Sequence, residues 1–242
     1  MKHTPLRCPP SRRGALVLCL HALIGALSLF AVILACATAV RDGYGAFWQR
    51  LLYFTQLSNV WVCAVSLAYV VLAVRALRRG VPLPRPLYLL RYIVTVSITL
   101  TGIIFCGLLA PFAEFNIWTF SSVLTHVAVP LLSVLVYFLD DLPVSLGRRH
   151  GLLCALPPLG YFLFCAVLFY LNVDFGKGEP YPYFFMNLRS EVGWLGARWG
   201  GDRPELGTLW WLVLILLLIL GIAAAYRAWH PATRARKTGK GA

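Results

Sequence analysis

The sequence predicts an all-α integral membrane protein, a bundle of six transmembrane helices with the N-terminus and C-terminus both cytoplasmic. Three observations carry that prediction: the balance of apolar and charged residues, the lengths of the apolar runs, and the side of those runs on which lysine and arginine fall. Hydrophobic residues make up 60% of the 242-residue chain and charged ones only 13%, with a mean hydropathy of +0.74. Soluble domains carry roughly 25% charged residues, so this chain builds its core against lipid. The formal net charge of +13 would point to nucleic acid if it were spread over one surface. Here the basic residues sit in short segments between apolar runs, so no nucleic-acid partner is expected, and the charge serves to orient the chain in a bilayer.

The apolar runs lie at about 14–40, 51–77, 87–110, 119–139, 151–171 and 207–228. Even the shortest exceeds the ~20 residues needed to cross ~30 Å of hydrocarbon. The first is too long for the ~7–15-residue apolar centre of a secretory signal. Basic tails at 1–13 and 229–242 flank the membrane domain of residues 14–228. The segments 1–13 and 227–242 and the linkers 75–85 and 140–150 hold fifteen Lys and Arg, against six in the opposite loops: Arg41, Arg50, Lys177, Arg189, Arg198 and Arg203. That asymmetry puts both termini in the cytoplasm. Trp48, Trp118, Trp194, Trp199, Trp210 and Trp211 gather at the other ends of the runs, as an interfacial belt does. The expected location is a bacterial inner membrane, crossed several times.

Two proline sites modify this picture. Pro130 has no N–H, so the fourth run is expected to kink there and to free the carbonyl of His126. Pro157-Pro158 should kink the fifth run and free two more carbonyls.

The polar residues inside the runs are the informative set. His126 is an ionisable ring at a depth where such groups are expensive unless they face protein or a wet cavity. In the second run, Thr55, Ser58 and Asn59 share one helical face at i, i+3 and i+4. At 1.5 Å per residue Thr55 lies about 6 Å below the start of its run, Asn59 about 12 Å, and His126 about 10 Å below the start of the fourth. A hydroxyl, an amide and an imidazole at one level are the parts of nucleophilic acyl chemistry. Thr55 is the candidate nucleophile, His126 the base, and Asn59 or Ser58 the oxyanion or orienting donor. No acid lies within a run to orient the ring, so a carbonyl or hydroxyl has to serve.

The same residues have a plainer reading, because Thr, Ser and Asn in membrane helices commonly bond their own helix or tie it to a neighbour. His21 in the first run could form a second polar wall. Arg91 is expected to snorkel to the headgroups, and His3, His150 and His230 to be interfacial or solvated. The seven cysteines include no C-x-x-C pair, and the chain has no HExxH, no GxSxG and no Gly-rich phosphate loop. No metal and no cofactor is required.

Tyr53-Phe54-Thr55-Gln56-x-Ser58-Asn59, and Thr125-His126-x-x-x-Pro130-Leu131-Leu132 two runs later, resemble short motifs of the androgen-induced protein and ADTRP family and its bacterial six-helix relatives. The resemblance covers the second to fourth runs and Tyr181-Pro182-Tyr183-Phe184-Phe185 of the last loop. It implies a polytopic threonine hydrolase of fatty-acyl esters, with Thr55 and His126 as the essential pair. The Gln-x-Ser-Asn after Thr55 departs from the eukaryotic members and follows the bacterial branch.

The connection 172–206 is the one long loop, and loops of that length are usually functional. Tyr181, Pro182, Tyr183 and Phe184 are expected to fold over the outer mouth as a lid. The expected function is hydrolysis of a fatty-acyl ester on a membrane lipid or lipid-like substrate. Two alternatives stay open: a small transporter with His126 as proton relay, and a non-catalytic lipid-binding or assembly protein. A cavity closed on the cytoplasmic side and tailed by apolar residues fits the hydrolase, a continuous one fits transport, and none at all fits assembly.

Overall fold

A computed structural model describes residues 11–113, 117–140, 144–176, 178–199 and 205–230. Most of both basic tails, with His3, Lys177 and Arg203, lies outside the described residues. Six helices are long and apolar enough to cross a membrane: Arg12–Arg41, Phe54–Arg79, Arg85–Phe112, Phe120–Leu139, Arg148–Tyr170 and Thr208–Trp229. They coincide with the six apolar runs to within a few residues, and the chain is an all-α, six-span molecule. Among the described residues the only sheet is a two-residue antiparallel ladder, Ala197–Arg198 on Glu205–Leu206.

The second span starts three residues later than the apolar run does. Phe47–Leu51 form a separate short helix, and Tyr53 takes an extended N-cap conformation, φ −75° and ψ 140°. Thr55 therefore stands in the first turn of a 26-residue helix. At its far end that helix stops at Gly80, in the left-handed conformation (φ 68°) that a residue without Cβ adopts cheaply.

The first helix packs on the second and fourth, the second on the third, and the third on the fourth and sixth. The fifth joins at the edge, through the sixth. Leu131, Leu163 and Leu217 remain well exposed, which suits faces turned to lipid. Apolar surface gives little drive for helices to associate in that solvent, so close packing and polar contacts between helices matter more.

Proline acts differently here from a simple kink. In the fourth span residues Leu124–Ala128 widen into a π-helical turn, with the Val129 N–H reaching back five residues to Leu124. In the third span Phe105–Leu109 do the same, the Ala110 N–H reaching Phe105, one residue ahead of Pro111. Each wide turn ends just before a residue that cannot donate, a local adjustment that resettles freed carbonyls. The fifth span is broken rather than kinked. Its helix stops at Leu153 and a new one starts at Leu156, which puts Pro157 and Pro158 in a first turn, where a missing N–H costs nothing.

Two further expectations are corrected. Arg91 does not snorkel: it is 2% exposed, paired with Asp140 and stacked 4.5 Å above the Tyr69 ring. Asp140 at the end of the fourth span offers a partner within reach, and a paired charge is cheaper to bury than a lone one. His230 is 1% exposed and faces Tyr137, with ring centroids 6.0 Å apart. It is buried rather than solvated, packed at the end of the sixth helix.

At the opposite end the long loop is fastened to the second span. Gln49 Nε2 donates to the Asp174 carbonyl (3.0 Å) and the Tyr53 hydroxyl to the Phe175 carbonyl (3.0 Å). Gly176, at φ 105°, is needed there, since a Cβ would lie 2.5 Å from the Tyr44 carbonyl oxygen.

Candidate active site

Thr55 and His126 meet. Thr55 Oγ1 lies 3.2 Å from His126 Nε2, joining the first turn of the second span to the π turn of the fourth. The other ring nitrogen, Nδ1, is 2.9 Å from the Ser122 carbonyl and 3.1 Å from Thr125 Oγ1. A carbonyl only accepts, so Nδ1 carries the proton and Nε2 presents its lone pair to the Thr55 hydroxyl. The Thr125 hydroxyl in turn donates to the Ser121 carbonyl (2.9 Å). Phe105 lies flat on the imidazole, centroids 3.7 Å apart and 16° between planes, and Trp118 meets Phe105 edge-on at 5.3 Å. Tautomer and ring plane are both fixed.

Ser58 and Asn59 sit behind this pair. Asn59 is fully buried, and its Nδ2 donates to the Thr55 carbonyl (2.8 Å) and to the Thr125 carbonyl (3.2 Å). The Thr125 carbonyl is one that Pro130 would meet in a π register, so the amide supplies a donor that the proline lacks. Ser58 Oγ lies 3.0 Å from the Thr55 carbonyl and 2.9 Å from Thr101 Oγ1. Neither side chain lines the cavity in front of Thr55. Both donors of Asn59 are occupied, so these two residues hold Thr55 and the π turn in place rather than face a reacting group. Gly102 completes the packing: a Cβ there would stand 2.9 Å from the His126 carbonyl oxygen.

What does face the cavity is Gln56, the residue after Thr55, and part of the long loop. Gln56 is 3% exposed, lines the cavity, and its Oε1 has no partner among the described residues. Helical spacing drew attention to i, i+3 and i+4 and so passed over Gln56, which points the other way. Tyr183 lines the cavity beside Thr55, close enough for its phenol and Thr55 to interact. Burial pushes its pKa up to about 12, so at neutral pH it keeps its proton as a donor. Tyr183 is held by stacking on Phe185 (5.1 Å, 8°) and by an edge contact with Tyr53 (5.7 Å). The first intrahelical bond of the second span is Leu57 N–H to the Tyr53 carbonyl, 3.0 Å. The amides of Phe54, Thr55 and Gln56 thus precede the ladder, at the positive end of the helix.

Two cavities join at Thr55. One, about 570 Å³, has a mixed lining, with Phe105, Phe112 and Ile117 beside Arg50, Gln56, Ser122 and His126. The other is a narrow slot of about 60 Å³ between Leu100, Phe162, Trp211 and Ile215. Thr55, Phe105, Leu109 and Tyr183 line both. Of the four residues expected to form a lid, Pro182, Tyr183 and Phe184 line the larger cavity, while Tyr181 lines a separate cleft beside Glu191 and Arg198. Trp211, expected in the interfacial belt, is turned inward to the slot. His21 belongs elsewhere: its Nδ1 is 3.3 Å from Ser66 Oγ and its ring 4.2 Å from Tyr69, beside Arg91. Among the described residues no group of three His, Cys, Asp or Glu side chains is placed to hold a metal. No protein-family model, no curated protein and no solved structure matches this chain.

Proposed function

We propose that this protein is an intramembrane esterase that cleaves a fatty-acyl ester of a membrane lipid through a threonyl-acyl intermediate. The observation that carries the reading is the Thr55–His126 contact, with Nδ1 fixed to a carbonyl so that Nε2 is the free base. In the first half-reaction Nε2 takes the Thr55 proton, Oγ1 attacks the ester carbonyl carbon, and the carbonyl oxygen becomes an oxyanion. The imidazolium then returns its proton to the departing alkoxide, which leaves as the alcohol. In the second half-reaction water from the larger cavity gives its proton to Nε2 and attacks the threonyl ester. The fatty acid is released and the Thr55 hydroxyl is restored.

The oxyanion donors in this reading are the Tyr183 phenol, the Gln56 amide and the helix N-terminus, in place of Asn59. The Ser122 carbonyl orients the ring where an acid would in a triad, which gives the imidazolium less charge stabilisation. A modest turnover is expected. By the positive-inside pattern the site faces the outer leaflet of a bacterial inner membrane, with both termini in the cytoplasm. The transport alternative needs a polar path through the bundle. The fully buried Asn59 and Val62 lie between the Thr55 cavity and the small one beside His21, which favours the esterase.

The test is labelling of the purified protein in detergent with a fluorophosphonate. Wild type is expected to label at Thr55, and Thr55→Ala and His126→Ala, at matched folding, to lose at least 100-fold in labelling rate. A folded wild type that does not label, and that hydrolyses no acyl ester, would overturn the proposal.

A further inference from the structure

Arg50 is not used by the proposed chemistry. It lines the larger cavity together with Thr55 and His126, its Cζ 4.7 Å from the centroid of the Tyr53 ring. That ring is a neutral support, itself fixed through its hydroxyl to the Phe175 carbonyl. Arg50 Nε is shut off from solvent without a hydrogen-bond partner among the described residues. No described carboxylate lies within ion-pair distance of the guanidinium. Asp42, the acid that lines the same cavity, is bound to Arg41 at 2.7 Å. A cation left this way on the cavity wall is short of an anion.

The shape of the site narrows the choice of anion. The narrow apolar slot and the larger cavity share Thr55 in their linings, and the larger one carries Arg50, Gln56, Ser122 and His126 on its wall, so a bound ester would put hydrocarbon on one side of the scissile bond and these polar groups on the other. A lone carboxylate would fill little of about 570 Å³. The Ser122 hydroxyl, which accepts from Thr119, and the Gln56 side-chain amide line that space and can donate to acceptor oxygens. A phosphate supplies them, and it matches the two-pronged fork of a guanidinium. We infer that Arg50 anchors the phosphate of the substrate's head group, so that the ester cleaved at Thr55 is an acyl ester of a phosphate-bearing glycerolipid, its chain in the slot and its head group in the cavity. The cleavage clause rests on the esterase reading; the head-group site stands apart from it.

Three esters of one acyl chain test selectivity in detergent: 1-palmitoyl lysophosphatidate, neutral 1-monopalmitoylglycerol, and a palmitoyl ester of hydroxystearate bearing a carboxylate. Wild type is expected to have its highest kcat/KM on the phosphate ester. Arg50→Gln is expected to cut the phosphate-to-neutral ratio of kcat/KM by about tenfold or more, and Arg50→Lys to retain part of it. A wild type that prefers the neutral or carboxylate ester, or an Arg50→Gln variant that leaves the ratio unchanged, overturns the inference. The uncleavable ether 1-O-hexadecyl lysophosphatidate provides a readout without catalysis. It should raise the thermal midpoint of wild type and not of Arg50→Gln. Arg50-dependent binding with neither fluorophosphonate labelling nor hydrolysis of any acyl ester would sink the esterase and keep the head-group site. Labelling at Thr55 without ether-lipid binding would sink the head-group site alone.

Discussion

At the scale of single residues, the site rests on where hydrogen-bond donors are committed. His126 has one nitrogen tied to a carbonyl acceptor and the other facing a hydroxyl, so the ring presents its lone pair to Thr55. Asn59 shows the reverse case: its amide is spent on two carbonyls. Asn59→Leu keeps the volume but strips a donor from the Thr125 carbonyl, and a buried acceptor left unpaired costs about 1–3 kcal/mol. Thermal unfolding in detergent should show a clear drop for this variant. In the esterase reading its kcat should fall more than its KM changes, since Asn59 positions the nucleophile and does not line the cavity. Tyr183→Phe removes a donor while keeping the aromatic stack. It should lower kcat by roughly 10- to 1,000-fold, as loss of one oxyanion donor does, with little change in thermal midpoint. A Tyr183→Phe variant with wild-type turnover would remove the phenol from the mechanism.

Elements bring these residues together through irregular turns. Two π turns, each ending just ahead of a proline, put Phe105 flat against His126, and Gly102 lets the third and fourth spans approach at the His126 carbonyl. Gly102→Ala places a methyl 2.9 Å from that oxygen, so the helices must part or shift. A loss of about 1–3 kcal/mol is expected, with weaker labelling at Thr55 among the molecules that remain folded. Gly221→Ala is the control: a Cβ there meets nothing within 4 Å, and Ala favours a helix over Gly by up to about 1 kcal/mol. Comparable thermal midpoints for the two variants would show that the close approach at Gly102 is not under strain. Helix lengths were readable from the apolar runs, because crossing a bilayer is a local demand on consecutive residues. The wide turns were not, since Pro130 reports a missing donor without saying whether the helix bends, widens or breaks. Pro157-Pro158 lack donors in the same way, yet there the helix ends and restarts.

For the whole molecule, the two ends of the bundle are built on different principles. One carries the Thr55 cavities under the long loop; the other is closed by the Arg91–Asp140 pair, the Tyr69 ring and the aromatic cluster of Tyr137, Tyr226 and His230. Removing one partner of a buried pair costs about 3–5 kcal/mol, while replacing both with apolar residues is often near neutral. Arg91→Met and Asp140→Leu should each lower the thermal midpoint strongly, and the double variant less than the two single losses combined. Neither residue lines a cavity at Thr55, so labelling per folded molecule should stay at the wild-type rate.

By itself the sequence determined the all-α class and the six spans to within a few residues, and it put Thr55 and His126 at one depth, because hydropathy, length and depth along a helix are properties of consecutive residues. The tertiary structure decided which polar groups meet. It spent Asn59 on carbonyls, turned Gln56 and Tyr183 into the cavity that Thr55 lines, left Arg50 on the wall of that cavity, and buried Arg91 against Asp140. Helical periodicity gives the face a residue occupies, but a hydrogen bond depends on what the neighbouring helix presents to that face within about 3 Å. That is settled only when the helices pack.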